Sequence, residues 1–388
     1  MSTFRVPVEP TLFSWAIERS GRDPEDLYNN TQLRDLPLWE SREKLPTFKQ
    51  LEKFAHATYA PFGYFFLEEP PVENVPIPDF RTLGNVQLTQ PSPDLLETIF
   101  LCEQRQEWFR TYARINAQDD LGFVGSTTTA DSVEVVADDI RRTLKFTNDE
   151  RARDSNWSDA LRRLIDTSED AGILVMVSGI VGNNTKRALN VKEFRGFALS
   201  DPVAPVVFVN GADTKAAQIF TLVHEIAHLW LGQSALTDSS LDRATSNQTE
   251  IWCNKVAAEV LVPLASLQAN YQNDSSSDEL DRLARLYKVS TLVVLRRIFD
   301  AGLLAWDDYR AQYADELERV LSILDKKRGP SSGGNYYYTQ PLRVSQRFAH
   351  AVISDTLYGR TLHREAYRLL GTRKHQTFVQ LGEQVGVV

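Results

Sequence analysis

The stretch TLVHEIAHLW, residues 221–230, sets His224 and His228 four positions apart, with Glu225 directly after the first. Phe220, Leu222, Val223, Ile226, Ala227 and Leu229 around them are apolar, so the segment predicts a helix buried on most of its surface. On a helix, residues i and i+4 project from one face, one turn apart, and both imidazoles can reach a single ion. Three polar groups in H-E-x-x-H order, on a helix otherwise apolar, would be costly to bury without partners. The pattern therefore predicts a zinc site, with Glu225 near enough to hydrogen-bond a water on the ion and serve as general base. The bland alternative is a histidine pair satisfied by the core or by solvent.

A catalytic zinc takes a third protein ligand and keeps one position open. Glu250, at the start of TEIWCNKVAAEVLVP (249–263), is the favoured third ligand, and Glu259 is the alternative. Asp238 and Asp242 lie in a polar loop, SALTDSSLDRATS, that reads as solvated. Asn254, four residues after Glu250, shares its face and is placed to orient His224 through the second ring nitrogen. The E-x-x-x-N spacing resembles the E-x-x-x-D of thermolysin-like zinc peptidases, with Asn in place of Asp. The strand-like FRGFALS (194–200) reads either as a sheet edge beside the cleft, where an extended peptide could add as a further strand, or as an ordinary sheet strand. Arg195 and the Tyr336–Tyr338 cluster are the candidates for stabilising an oxyanion.

Around this centre, 388 residues with 42% hydrophobic and 24% charged side chains describe a folded chain of more than one domain. The net charge of −9 gives no whole-chain reason for binding nucleic acid or membrane. Two cysteines, Cys102 and Cys253, do not make a disulfide scaffold and fit a reducing compartment. MSTFRVPVEP lacks the apolar core of a secretory signal. The longest apolar runs, such as ILVMVSGIVG (173–182), are shorter than a membrane span. A cytoplasmic protein with no membrane partner is expected.

Residues 1–75 read as short helices ending in a proline-rich boundary that runs through Pro61, Pro70, Pro71, Pro76 and Pro78. Residues 76–150 read as a helical linker segment, residues 151–310 as the zinc domain and residues 311–388 as a C-terminal unit behind the Gly/Ser-rich RGPSSGGNYYY. ILVMV, FRGFALS and PVVFVNG are short β-rich runs in the zinc domain. The fold class expected is α+β, mostly helical, with a small sheet. From Lys326 onward ten Lys/Arg stand against three Asp/Glu, an excess of +7.

VFVNGAD (207–213), FTLVHEIAHLWLG (220–232), Glu250 with CNKVAAEVLVP (253–263), and LARLYKVSTLVVLRRIFDAGLL (283–304) together resemble the ImmA/IrrE family of bacterial zinc peptidases. Residues 39–71 resemble the Xre-type helix-turn-helix often fused to this peptidase, and residues 333–360 resemble the tail of the longer fusions. The resemblance implies a zincin-like core in a bacterial cytoplasmic enzyme, with His224, His228 and Glu250 as zinc ligands and Glu225 as base. It further implies cleavage of a helix-turn-helix repressor, switching on a stress or anti-phage operon. One departure is that residues 1–75 carry eight Lys/Arg against twelve Asp/Glu, and repulsion from phosphates argues against duplex binding there.

Two regulatory expectations follow. Cys102, on a helix upstream of the zinc domain, is a candidate for the open zinc position, which would hold the enzyme latent; the alternative is a buried structural thiol. Cys253 reads as a small apolar residue on a packed helix. In the tail, Tyr336, Tyr337, Tyr338 and Phe348 offer stacking surfaces beside Arg343, Arg347 and Arg364, a pairing suited to single-stranded DNA as activator. Two rival readings are a helix-turn-helix transcriptional regulator with a structural or vestigial zinc, and a nucleic-acid sensor acting by assembly alone. A purely structural site has no need of Glu225.

Overall fold

The computed structural model describes residues 4–79, 91–147, 150–151, 153–237, 247–326 and 336–387, with the side chains of 323–326 and 336–338 outside that description. The chain divides into two compact units. One comprises Met1–Pro76 with Leu88–Ile99, and the other Ile77–Gln87 with Phe100–Val388. No helix among the described residues is long and apolar enough to cross a membrane.

In the first unit, four helices (Pro10–Ser20, Pro24–Tyr28, Leu36–Glu40 and Phe48–Thr58) enclose an aromatic core. Phe13 meets Phe54 edge-on at 5.3 Å and lies 5.9 Å from Trp39. The last helix starts at a capping box in which the Thr47 hydroxyl accepts from the Gln50 amide and the Gln50 side chain accepts from the Thr47 amide. Between the helices Pro24–Tyr28 and Phe48–Thr58 the chain forms turns and the five-residue helix Leu36–Glu40.

The second unit is built on a four-stranded sheet of order β1-β3-β2-β4, with β1 Leu174–Ser178, β2 Gly196–Leu199, β3 Val206–Asn210 and β4 Ala235–Thr237. β1 and β3 are parallel, while β2 runs antiparallel to both β3 and β4. Of the two readings of FRGFALS, the ordinary sheet strand holds and the edge is corrected: it contributes β2, an interior strand, and the edges belong to β1 and β4. Near-continuous burial along β1, β2 and β3 explains why none of them alternates apolar with polar residues.

The helix Lys215–Trp230, which carries the H-E-x-x-H run, packs on β2 and β3. Thr214 caps its start, its side chain accepting from the Ala217 amide. At its end, the carbonyls of Leu229 and Trp230 accept from the amides of Gly125 and Thr127, and Gly232 turns the chain away at φ 68°. Two further helices, Gln248–Leu261 and Val133–Thr143, pack against each other, and the former also packs on the H-E-x-x-H helix. Val136, Ala137 and Ile140 thereby join the same core as Val223, Ile226, Val256 and Val260. The mean structure is mostly helical with one small mixed sheet, an α+β arrangement.

Candidate metal centre and catalytic site

His224 and His228 stand one turn apart on a helix buried from Gln218 to Trp230, and Glu250 reaches them from the first turn of the Gln248–Leu261 helix. Asn247 caps that helix, its side chain accepting from the amides of Thr249 at 2.9 Å and Glu250 at 3.5 Å. Glu250 thus sits where backbone amides and the helix dipole favour negative charge. The Nε2 atoms of the two histidines are 3.2 Å apart. The Glu250 carboxylate lies 3.2 Å from His224 Nε2 and 3.1 Å from His228 Nε2. One donor atom from each residue falls within 4.8 Å of the others, and all three residues are buried.

These separations test the expected ion. Tetrahedral ligands about 2.0–2.1 Å from zinc lie roughly 3.3 Å from one another. The three donors already stand close to that spacing, with both imidazoles turned Nε2-inward. Two imidazoles and one carboxylate are a catalytic zinc donor set, which leaves a fourth position for water or substrate. Electrostatics agree. Burial by itself would push the Glu250 carboxyl up, but the two imidazoles outweigh it and hold it down at about 2. For His228 burial prevails over Glu250 and lowers the imidazole's pKa, whereas His224 is raised because Glu250 and Glu225 overcome its burial. Glu250 thus stays ionised between the two imidazoles, the state in which a carboxylate can ligate a cation.

Glu225 is fully buried. One of its oxygens, Oε1, accepts the hydroxyl of Thr237 on β4, while Oε2 is buried without a hydrogen-bond partner. Burial pushes its carboxyl up to about 8, against the pull of His224 and of the Thr237 hydroxyl. Gly196 on β2 makes room for this arrangement. A Cβ there would stand 2.6 Å from Thr221 Cγ2, 2.8 Å from the Phe208 carbonyl oxygen and 3.1 Å from Glu225 Oε1. Asn254, one turn beyond Glu250, favours the protonated form of His224. Asn254 Oδ1 and His224 Nδ1 nevertheless stop short of a well-formed hydrogen bond.

The remaining expected residues lie elsewhere. Glu259 pairs with Arg297 in the core, and its carboxylate also receives the Leu264 amide at 3.4 Å, so it is a structural anion. Cys102 is not at the centre. Its Sγ lies 3.6 Å from Met176 Sδ on β1, and burial pushes the thiol up to about 12, the opposite of a zinc-binding thiolate. The reason is packing: Cys102 belongs to the apolar face that its helix, Pro93–Ile115, turns to β1. Cys253 is likewise a fully buried thiol in the core around the Glu250 helix. Arg195 pairs with Asp213 at 3.3 Å.

In the tail, Phe348 is fully buried, edge-on to Trp108 at 5.6 Å, and offers no stacking face to solvent. Arg347 lies over the Phe109 ring and donates to the Glu169 carbonyl at 3.4 Å; Arg343 donates to Asn183 Oδ1, also at 3.4 Å. Of the three arginines expected to meet nucleic acid, only Arg364 is exposed. The side chains of Tyr336, Tyr337 and Tyr338 lie outside the described residues, as do Asp238 and Asp242.

Sequence reasoning missed Thr237 and Gly196. Neither sits at a recognisable spacing from H-E-x-x-H, because both reach Glu225 across strands.

Residues 168–299 match the family model of the M78 peptidases, described as the IrrE N-terminal-like domain. The match spans the sheet, the H-E-x-x-H helix and the Glu250 helix, about a third of the chain. Residues 344–384 match a domain of unknown function, DUF8813. No curated protein and no solved structure matches the chain.

Proposed function

We propose that this chain is a zinc-dependent endopeptidase in which His224, His228 and Glu250 hold the ion and Glu225 is the general base. The observation that carries the reading is the convergence of three donors from two helices beside a buried carboxylate with one unengaged oxygen. Zinc bound there would supply a Lewis acid for the scissile carbonyl and lower the pKa of the attacking water. Thr237 holds Oε1 of Glu225, which leaves Oε2 to take the proton of that water and pass it to the leaving amine. Burial raises the proton affinity of Glu225, which suits a group that must accept and then release a proton near neutrality.

The substrate we propose is a helix-turn-helix repressor, cut to release a stress or anti-phage operon. The support is the resemblance of residues 207–304 to the ImmA/IrrE peptidases and the IrrE N-terminal-like match. The test is proteolysis, by zinc-loaded protein, of a helix-turn-helix repressor encoded beside its gene. Loss of cleavage in Glu225→Gln with zinc retained supports the reading. Equal cleavage by Glu225→Gln, or purified protein without stoichiometric zinc, overturns it.

A second reading, a regulator with a structural metal, takes its support from the complete burial of His224, Glu225 and His228. It predicts duplex binding that is indifferent to Glu225→Gln.

A further inference from the structure

A cavity of about 710 Å³ lies between residues 103–111 of the helix Pro93–Ile115 and residues 365–369 of the helix His363–Leu369, all in the second unit. The stretch 103–111 rises about 12 Å along its axis, so the cavity is an elongated groove. It shares no residue with the metal centre. One of its walls belongs to the segment 344–384 that matches a domain of unknown function.

Two of the charged groups in the groove already neutralise each other. Arg110 pairs with Glu107 and, at 2.6 Å, with Asp201. Three more are unpaired. Glu103 and Glu365 are half-buried and Arg368 is exposed, and none of them has a hydrogen bond or ion pair among the described residues. Burial pushes the Glu103 carboxyl up, with no cation beside it to pull it back.

Gln106, also in the lining, is 7% exposed. Its Nε2 donates to the carbonyls of Leu199 and Ala204, both at 2.9 Å. Both N–H bonds are thus engaged and the amide is fixed, so Oε1 is left as an acceptor with no donor among the described residues. Trp108 is held as firmly. Its ring stacks on Tyr112 at 5.4 Å and meets Phe348 edge-on, and its remaining surface is an apolar wall of the groove.

We infer that this groove binds a basic α-amino acid of the arginine or lysine class. Glu103, Glu365 and Gln106 Oε1 receive its two cationic groups, Arg368 its carboxylate and Trp108 its methylene stem. The argument is charge complementarity. The unpaired lining groups are two carboxylates and one guanidinium, and the ligand carries two cations and one carboxylate. An anion would face two uncompensated carboxylates, and a diamine would set a cation against Arg368. The inference does not depend on the peptidase reading.

The experiment is equilibrium dialysis of the full wild-type chain, stripped of metal so that an amino acid cannot report by chelating zinc, against L-arginine and L-lysine up to millimolar concentration. Saturable binding of one molecule per chain is expected, with a rise in Tm because the ligand ties two helices together. Glu103→Gln and Glu365→Gln, each checked for folding by its own melt, are expected to weaken binding about tenfold or more. Agmatine, which lacks the carboxylate, and L-citrulline, which lacks the side-chain charge, are expected to bind about tenfold more weakly than L-arginine. Arg368→Gln should weaken L-arginine and leave agmatine unchanged. No saturable binding of either amino acid, or binding unchanged in both folded glutamine variants, overturns the inference. Agmatine or L-citrulline binding as tightly as L-arginine overturns it as well.

Discussion

Thr237, the last residue of β4, donates its hydroxyl to Oε1 of Glu225, so a short edge strand fixes one oxygen of the carboxylate and leaves the other unengaged. This places Thr237 as a positioning residue. Thr237→Val is expected to reduce kcat about tenfold with KM and zinc content little changed, and Thr237→Ser to restore most of it. The hydroxyl also pulls the Glu225 carboxyl down against its burial. Its loss should therefore move the acidic limb of the pH–rate profile to higher pH. A loss of activity with no shift of that limb would mark Thr237 as merely structural.

The metal centre separates two kinds of damage. Glu225→Gln is expected to keep stoichiometric zinc and lose roughly 10²–10⁴-fold in kcat. Glu250→Ala is expected to lose the zinc itself, because it removes one of the three donors. Added zinc should raise Tm in the wild type and in Glu225→Gln but not in Glu250→Ala. Metal analysis on the three proteins, with thermal melts, checks all of this.

Gly196 allows the H-E-x-x-H helix to lie on β2. Because a Cβ there would come within 2.8 Å of the Phe208 carbonyl oxygen, a backbone atom that cannot swing aside, Gly196→Ala is expected to destabilise by about 1–3 kcal/mol. Denaturant unfolding measures it. A neutral effect would mean that helix and sheet are free to separate at this point.

Glu169 links the end of the helix Trp157–Asp170 to the start of the helix Gln346–Leu357. Its two oxygens accept from the amides of Gln346 at 3.0 Å and Arg347 at 3.1 Å. Burial pushes its carboxyl up to about 7, although the Ser345 hydroxyl and the two amides pull it back. The folded state then holds this proton more tightly than the unfolded state. Its contribution to stability is present below the unfolded value of about 4.5 and is lost as pH rises through about 7, a change of about 3 kcal/mol. Glu169→Gln should flatten that part of the stability–pH curve. An unchanged slope would show that another group carries it.

Cys102 faces Met176 rather than the metal centre. Cys102→Ala is therefore expected to leave zinc content and basal activity unchanged, with thiol reagents reacting slowly at this buried thiol. Activity released by Cys102→Ala would restore the idea of a thiol latch and contradict the packing found here.

Much of the centre was legible in the sequence because its parts are local. The i and i+4 spacing of His224 and His228 is a property of one helix, and Glu225 follows from position alone. Glu250 was legible as the favoured third donor because it opens a second helix with enough chain between to fold back, while Glu259 remained open until its pairing with Arg297 was seen. Cys102 illustrates the converse. A cysteine upstream of a zinc motif reads either as a ligand or as a buried structural thiol until its Sγ is found against Met176 of β1.

By itself the sequence determined the helices, the H-E-x-x-H face and an α+β unit with a small sheet, all set by periodicity and capping within a few residues. Only the tertiary structure decided the strand order, which put FRGFALS inside the sheet with β4 at one edge and brought Thr237 and Gly196 to Glu225. The physical reason is that strand pairing joins residues distant in the chain through main-chain hydrogen bonds. Those bonds leave little mark on side-chain pattern when both faces of a strand are buried.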